Sequence, residues 1–241
     1  MSGSLFLIPA SLGEGTPEQV LPPLSLRQIS HLDYFIVENE KSARSWLRGC
    51  GLEKPLQELT LVRFDEHSSK TEVQSLLAPA AQGRSIGLLS EAGVPCVADP
   101  GALVVRAAHE MGIKVTPLIG PSAILLALMA SGLEGQRFQF VGYPPREDPA
   151  RENFLRDCLR SSKAERQTVL MIETPYRGEK LFQAILRVGS AETEILIAEG
   201  VTMPSESIRT MRVEEWRRTE DPPLFAEPAV FGLYQPKPLT K

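Results

Sequence analysis

Ser85-Ile86-Gly87-Leu88-Leu89-Ser90-Glu91-Ala92-Gly93-Val94-Pro95-Cys96-Val97-Ala98-Asp99-Pro100-Gly101 is the stretch on which the fold turns. Residues 85–89 are an apolar run of strand length. The loop after them is built of small residues, a Gly and two prolines, which let backbone approach a ligand in a fixed shape, while Glu91 and Asp99 add negative charge. Residues 102–111 then carry apolar groups at helical spacing, and Gly112 stands just past them as a C-cap. Strand, loop and helix in that order recur outward in both directions. Residues 5–8, 34–37 and 114–118 read as buried strands, and 24–32, 42–50 and 71–82 as amphipathic helices, with Gly51 and Gly83 just past two of them. In the second half 122–131 reads as an apolar helix and 138–141, 168–172, 194–198 and 229–234 as strands. The alternation predicts an α/β architecture rather than a sandwich or a bundle. Residues 148–163 carry Arg151, Arg156, Arg160 and Lys163 interleaved with Glu152 and Asp157, which reads as an exposed helix with ion pairs rather than a nucleic-acid face. No internal repeat is visible, and the Pro pairs at 22–23, 144–145 and 222–223 read as loops.

Composition excludes several classes. With 241 residues, 42% hydrophobic and 23% charged, the chain can bury a substantial core without staples, so disorder, collagen and disulfide scaffolds are out. No Gly/Ser linker would hold two domains far apart, and two closely abutting halves are expected. Lys+Arg 26 against Asp+Glu 30 gives a net charge of -4, with a pI near 5.6. That balance argues against affinity drawn mainly from a broad phosphate-neutralising surface, though it permits a local basic groove. Apolar stretches such as 124–130 fall far short of the roughly 20 residues of a spanning helix, and the first residues do not read as a signal peptide; the expectation is a cytoplasmic protein without a membrane. Cys50, Cys96 and Cys158 are scattered and odd in number, which fits reduced thiols. His31, His67 and His109 are scattered too, and none makes a metal-ligand pairing, so a mechanism without metal is expected.

In an open α/β sheet ligands sit beyond the carboxyl ends of strands. Four such segments stand out: residues 90–101, Ile119-Gly120-Pro121-Ser122-Ala123, Glu173-Thr174-Pro175-Tyr176-Arg177 and Ala198-Glu199-Gly200. For the first, the competing reading is two consecutive turns with Asp99 as a helix cap; for the second, it is a simple Ser122 cap. Neither a G-x-G-x-x-G turn nor a P-loop is present, and the first strand ends instead in Pro9-Ala10-Ser11-Leu12-Gly13-Glu14-Gly15. A ligand held by carboxylates and backbone amides, without a phosphate cradle or metal, suits a cationic or zwitterionic nucleoside such as S-adenosylmethionine.

These motifs resemble the class III S-adenosylmethionine-dependent methyltransferases, the tetrapyrrole methylase superfamily, and within it the branch that 2'-O-methylates a cytidine of 16S ribosomal RNA. The branch's S-D-A-G-T-P-x-x-x-D-P-G is similar to residues 90–101; its P-L-P-G-P-x-A and A-L-x-A-S-G-L are similar to 117–123 and 127–133, with Ile119 in place of one proline. G-F-x-P resembles Gly142-Tyr143-Pro144-Pro145, and Y-E-S-P-H-R resembles 172–177. Departures fall elsewhere. T-P-I-G-N-L reads 10–15 here with only the Gly kept, A-E-D-T-R reads Val37-Glu38-Asn39-Glu40-Lys41, and A-R-E-L-T-K-x-x-E reads 198–206, keeping Ala198, Thr202 and Glu206.

The resemblance implies two α/β domains, residues 1–118 and 119–241, with a cofactor cleft between them, and a homodimer. For S-adenosylmethionine it implies Pro9, Gly93, Val94 and Val97 at the methionine end, Ser122, Ala123, Glu173, Ala198, Pro228 and Ala229 around the nucleoside, and Glu91 orienting its loop. Methyl transfer needs nucleophile and methyl positioned within roughly 3 to 3.5 Å, with Glu38 and Glu206 as candidate bases. Lys41, Arg146, Arg151 and Arg177 are the candidate basic groups toward an RNA acceptor. The sequence leaves the acceptor open. Glu199 and Met203, where the branch has Arg and Lys, remove two phosphate contacts and add a repulsive charge, predicting weaker or different RNA use. Ribosomal RNA ribose methylation and a non-catalytic cofactor-binding protein stand as the alternatives.

Overall fold

A computed structural model describes residues 3–64 and 70–236, and His67 lies outside them. The chain divides into two compact units, Met1–Ser122 and Ala123–Lys241. The division falls past residue 118 for a steric reason. A side chain at Gly120 would stand 2.2 Å from Pro9 Cβ, so the segment after the last strand of the first unit stays packed on that unit.

The first unit runs β1 (Ser4–Ile8), α1 (Pro17–Val20), α2 (Pro23–Ser30), β2 (Tyr34–Val37), α3 (Glu40–Arg48), β3 (Thr60–Arg63), α4 (Lys70–Ala81), β4 (Ile86–Leu89), α5 (Ala102–Glu110) and β5 (Lys114–Pro117). All five strands are parallel, in the order β3-β2-β4-β1-β5. Tyr-Phe-Ile-Val in β2 and Ile-Gly-Leu-Leu in β4 are buried throughout, as strands covered on both faces require. One face packs Leu5, Ile36 and Leu88 against Val73 and Leu77 of α4 and Val104 of α5. The other packs Ile8, Phe35 and Leu89 against Ile29 of α2 and Leu47 of α3. The connection from β1 to β2 passes over β4 and that from β4 to β5 passes over β1. Two adjacent strands therefore send their loops in opposite directions, which opens a crevice at their carboxyl ends.

The second unit runs α6 (Ala123–Ser131), β6 (Phe138–Phe140), α7 (Ala150–Glu165), β7 (Thr168–Glu173), α8 (Pro175–Val188), β8 (Glu194–Glu199), β9 (Ser207–Arg212), α9 (Val213–Trp216) and β10 (Ala229–Tyr234). Its sheet is mixed, in the order β6-β7-β10-β8-β9, and only β6 and β7 are parallel. Leu155 of α7 and Leu181, Phe182 and Ile185 of α8 cover one face, over Val169, Ile197 and Phe231. The apolar α6 lies against β8, β9 and β10.

Strands β3 and β9 and helices α1, α8 and α9 add to the expected elements. Pro23 opens α2 rather than lying in a loop, because Pro is tolerated at the first helical position. Helix α7 is not an exposed helix overall: Arg151, Leu155, Cys158, Leu159 and Ser162 are buried. Its outer side does carry ion pairs, Arg156 with Glu152, Arg160 with Asp157, and Arg187 of α8 with both Glu152 and Asp148. No helix among the described residues is long and apolar enough to cross a membrane.

Candidate cofactor and acceptor site

In the first unit the loops after β1, β4 and β5 meet at Gly93. The Ala10 N–H donates to the Gly93 carbonyl (2.9 Å), the Gly93 N–H to the Ser11 carbonyl (3.3 Å), and the buried Ser90 hydroxyl to the Gly93 carbonyl (2.6 Å). Gly93 has φ +68°, and a Cβ there would lie 2.9 Å from Leu12 Cδ2 and 3.2 Å from the Pro121 carbonyl oxygen. Glycine alone accepts both the conformation and the crowding. Further along, Cys96 (φ 69°) and Ala98 (φ 58°) hold left-handed backbone without being glycine, a strain of about 1–2 kcal/mol each that the surrounding structure must impose. Asp99 accepts the Gly101 N–H at 2.5 Å in a turn ahead of α5, whose N-cap is Gly101, so Asp99 is not the helix cap. Burial pushes the Cys96 thiol up to about 11, with the Asp99 charge adding to it.

The exposed Glu91 accepts a 2.6 Å hydrogen bond from Ser42, which ties the loop to the first turn of α3. That turn is capped by Asn39, whose Oδ1 accepts from the Lys41 and Ser42 amides. Sequence carried no signal for a Ser42–Glu91 pair 49 residues apart. Pro9 and Gly93 are buried, Val94 and Glu38 half-buried, and Val97 and Lys41 exposed. A cavity of about 590 Å³ beside these loops is lined by Ser11, Glu14, Glu18, Ser42, Arg48 and Glu91 among others. Three carboxylates against one guanidinium favour a cationic guest.

In the second unit, strand register puts Glu173, Ala229 and Glu199 in one row across β7, β10 and β8, with Ala198 paired to Val230 one step inside. Glu173 is buried, and its Oε1 accepts from Arg177 Nη2 (2.5 Å), the Thr174 N–H (2.8 Å) and the Thr174 hydroxyl (3.3 Å). Glu199 is also buried; its Oε1 accepts from the Ala226 and Glu227 amides at 2.5 and 3.2 Å. The acid that stands where the branch has Arg thus holds the backbone of residues 226 and 227 inside the fold. Ala198 and Ala229 are buried, Pro228 is exposed beside them, and Ser122 and Ala123 are half-buried at the start of α6.

Arg146 is exposed, whereas Arg151 is buried and donates to Asp148 at 3.1 Å, which removes it from solvent. Glu206 is exposed and accepts the Thr202 N–H at 2.7 Å, closing the turn in which Thr202 has φ 71°. Among the described residues no cluster of three His, Cys, Asp or Glu is placed to hold a metal ion.

The family described as "Tetrapyrrole (Corrin/Porphyrin) Methylases" matches residues 26–216. The chain belongs to the tetrapyrrole methylase family. This methylase is 29% identical over 213 residues to "Ribosomal RNA small subunit methyltransferase I" of Escherichia coli O157:H7, covering 88% of this chain and 70% of that protein. It is 35% identical over 150 residues to the protein of the same name from Vibrio cholerae, covering 62% of this chain and 51% of the relative. The crystal structure of the methyltransferase CobJ matches with a TM-score of 0.63 at 19% identity, over 98% of this chain and all of that one, a likeness of fold. The methylase is thus an S-adenosylmethionine-dependent methyltransferase with two α/β subdomains. The carboxylates of the cavity beside the β1 and β4 loops suit a ligand carrying sulfonium and ammonium charges, and Gly93 shapes those loops by packing on Leu12 and Pro121.

Proposed function

We propose that this methylase transfers a methyl group to small-subunit ribosomal RNA, at a ribose 2'-hydroxyl. The observation that carries the reading is the match over 88% of the chain to a ribosomal RNA small subunit methyltransferase.

Pro9, Gly93, Val94 and Val97 would hold the cofactor's methionine end, with Glu91 fixing the loop through Ser42. Ser122, Ala123, Glu173, Ala198, Pro228 and Ala229 would take its nucleoside. When bound, S-adenosylmethionine supplies a methyl group already activated by the sulfonium charge. The protein's remaining work is to orient a hydroxyl in line with that methyl and to take its proton. Glu38, immediately past β2, and Glu206, which accepts the Thr202 amide, are the candidate bases. Lys41 and Arg146, both exposed, are assigned to phosphates. A homodimer belongs to the same reading, and sedimentation should then give twice 26.5 kDa.

Tritium transfer from labelled cofactor into cell extract, separated into RNA, protein and small molecules, tests the acceptor class. Label in small-subunit ribosomal RNA is expected. Label confined to protein or small molecules refutes the reading, and no label despite cofactor binding favours a non-catalytic protein.

A further inference from the structure

Two exposed tyrosines stand on one guanidinium in the second unit. Strands β6 and β7 are parallel, so their carboxyl ends open on the same side. Tyr143 follows β6, on a loop pinned to β7 by the Ile172 N–H donating to the Gly142 carbonyl at 3.1 Å. Tyr176 lies in the first turn of α8, which begins at Pro175 directly after β7. The Arg177 Cζ is 5.9 Å from each ring centroid, within cation–π reach. Tyr143 is 54% exposed and Tyr176 80%, while the Arg177 side chain is only 16% exposed.

Charge decides what this cluster recognises. Arg177 is paired at 2.5 Å with the buried Glu173 and also donates to the Thr174 hydroxyl, so the group is nearly neutral as a whole. A guanidinium already spent on a carboxylate is a poor phosphate clamp. The two exposed aromatic rings beside it remain a surface for stacking, the means by which proteins take up splayed bases of single-stranded RNA. Tyrosine is suited to it, because only two side-chain torsions need ordering.

We propose that Tyr143 and Tyr176, arranged around Arg177, form a stacking platform for an unpaired nucleobase of the RNA acceptor. The inference rests on the RNA reading above. It moves Arg177 from phosphate contact to support of the platform, and makes the tyrosines positioning residues rather than catalytic ones.

The test uses the full chain, a single-stranded RNA oligonucleotide carrying 2-aminopurine, and small ribosomal subunits lacking the ribose methyl mark. Tyr143→Ala and Tyr176→Ala should each weaken oligonucleotide binding by about tenfold and raise KM for the subunits with little change in kcat. Tyr→Phe at either position should restore binding, and the dependence of affinity on salt should stay that of the unsubstituted chain, since no phosphate contact is lost. Alanine variants that bind and turn over like the unsubstituted chain overturn the platform and leave the acceptor reading standing, and so does weaker binding accompanied by a shallower salt dependence. Tyrosine-dependent oligonucleotide binding with no methylation of the subunits supports the platform and removes the acceptor reading. No RNA bound at all overturns both.

Discussion

At Gly93 a single missing side chain lets three loops pack together. Gly93→Ala should cost about 1–2 kcal/mol for the left-handed backbone and weaken S-adenosylhomocysteine binding by more than tenfold, read by melting and calorimetry. Unaltered affinity would detach this glycine from the cofactor. Glu199 makes the opposite point about reading a residue from its type. In the sequence it is an acid where the ribosomal RNA branch has Arg; in the structure it is a buried acceptor for two amides. Glu199→Arg should therefore destabilise the chain by about 3 kcal/mol or more, since it buries a cation where amides need an acceptor, and should fail to improve RNA affinity. Glu38→Gln should leave cofactor binding intact and lower turnover by an order of magnitude or more. A turnover equal to that of the unsubstituted enzyme would release Glu38 from the role of base.

Among elements, those that sequence revealed are the ones whose pattern is strong. Tyr34–Val37 and Ala229–Tyr234 emerge with the expected bounds because they are apolar runs with clear flanks. Edge strands β3 and β9 did not, because Thr-Leu-Val-Arg and Ser-Ile-Arg-Thr-Met-Arg are partly exposed and polar, and such a strand reads as loop until its neighbour is known. Helix α8 did not emerge either, because residues 173–177 stood out only as the segment beyond a strand end. In the fold Pro175 opens the helix, and Gly178 is bare because a Cβ there would meet Phe225 at 2.5 Å. The loop motifs were legible as the candidate site, but the bonds that shape them, Ser42 to Glu91 and Glu199 to residue 226, join distant positions and left no local pattern. At the amino end of β2, burial alone would raise the Asp33 carboxyl, yet hydrogen bonds from Lys54 and Arg84 and their charges hold it below its ordinary value. Because the folded pKa lies below the unfolded one, this pairing contributes stability above about pH 4 and loses it as pH falls through the folded value. Asp33→Asn should lower stability at pH 7 by about 1 kcal/mol and flatten the acid limb of a melting-temperature profile.

Across the whole molecule the thiols and the acceptor are the two chemical questions. Burial raises Cys50 to about 12, with the Glu18 charge adding to it, and raises Cys158 to about 11, joined there by the Asp157 charge. With Cys96, all three should stay protonated at pH 8, and iodoacetamide should label the native chain far more slowly than the unfolded one, as mass spectrometry would read. Fast labelling of native protein at Cys50 or Cys158 would contradict the burial of these two positions. The acceptor is the central matter: a family fold supplies the cofactor chemistry, and the proposed role depends on which hydroxyl meets the methyl group. Incubating the chain with tritiated S-adenosylmethionine and small ribosomal subunits lacking the ribose methyl mark, then hydrolysing their RNA with alkali, decides it most directly. The account predicts one equivalent of label in an alkali-resistant dinucleotide, the product of 2'-O-methylation; no RNA label in a reaction where the cofactor demonstrably binds would contradict it.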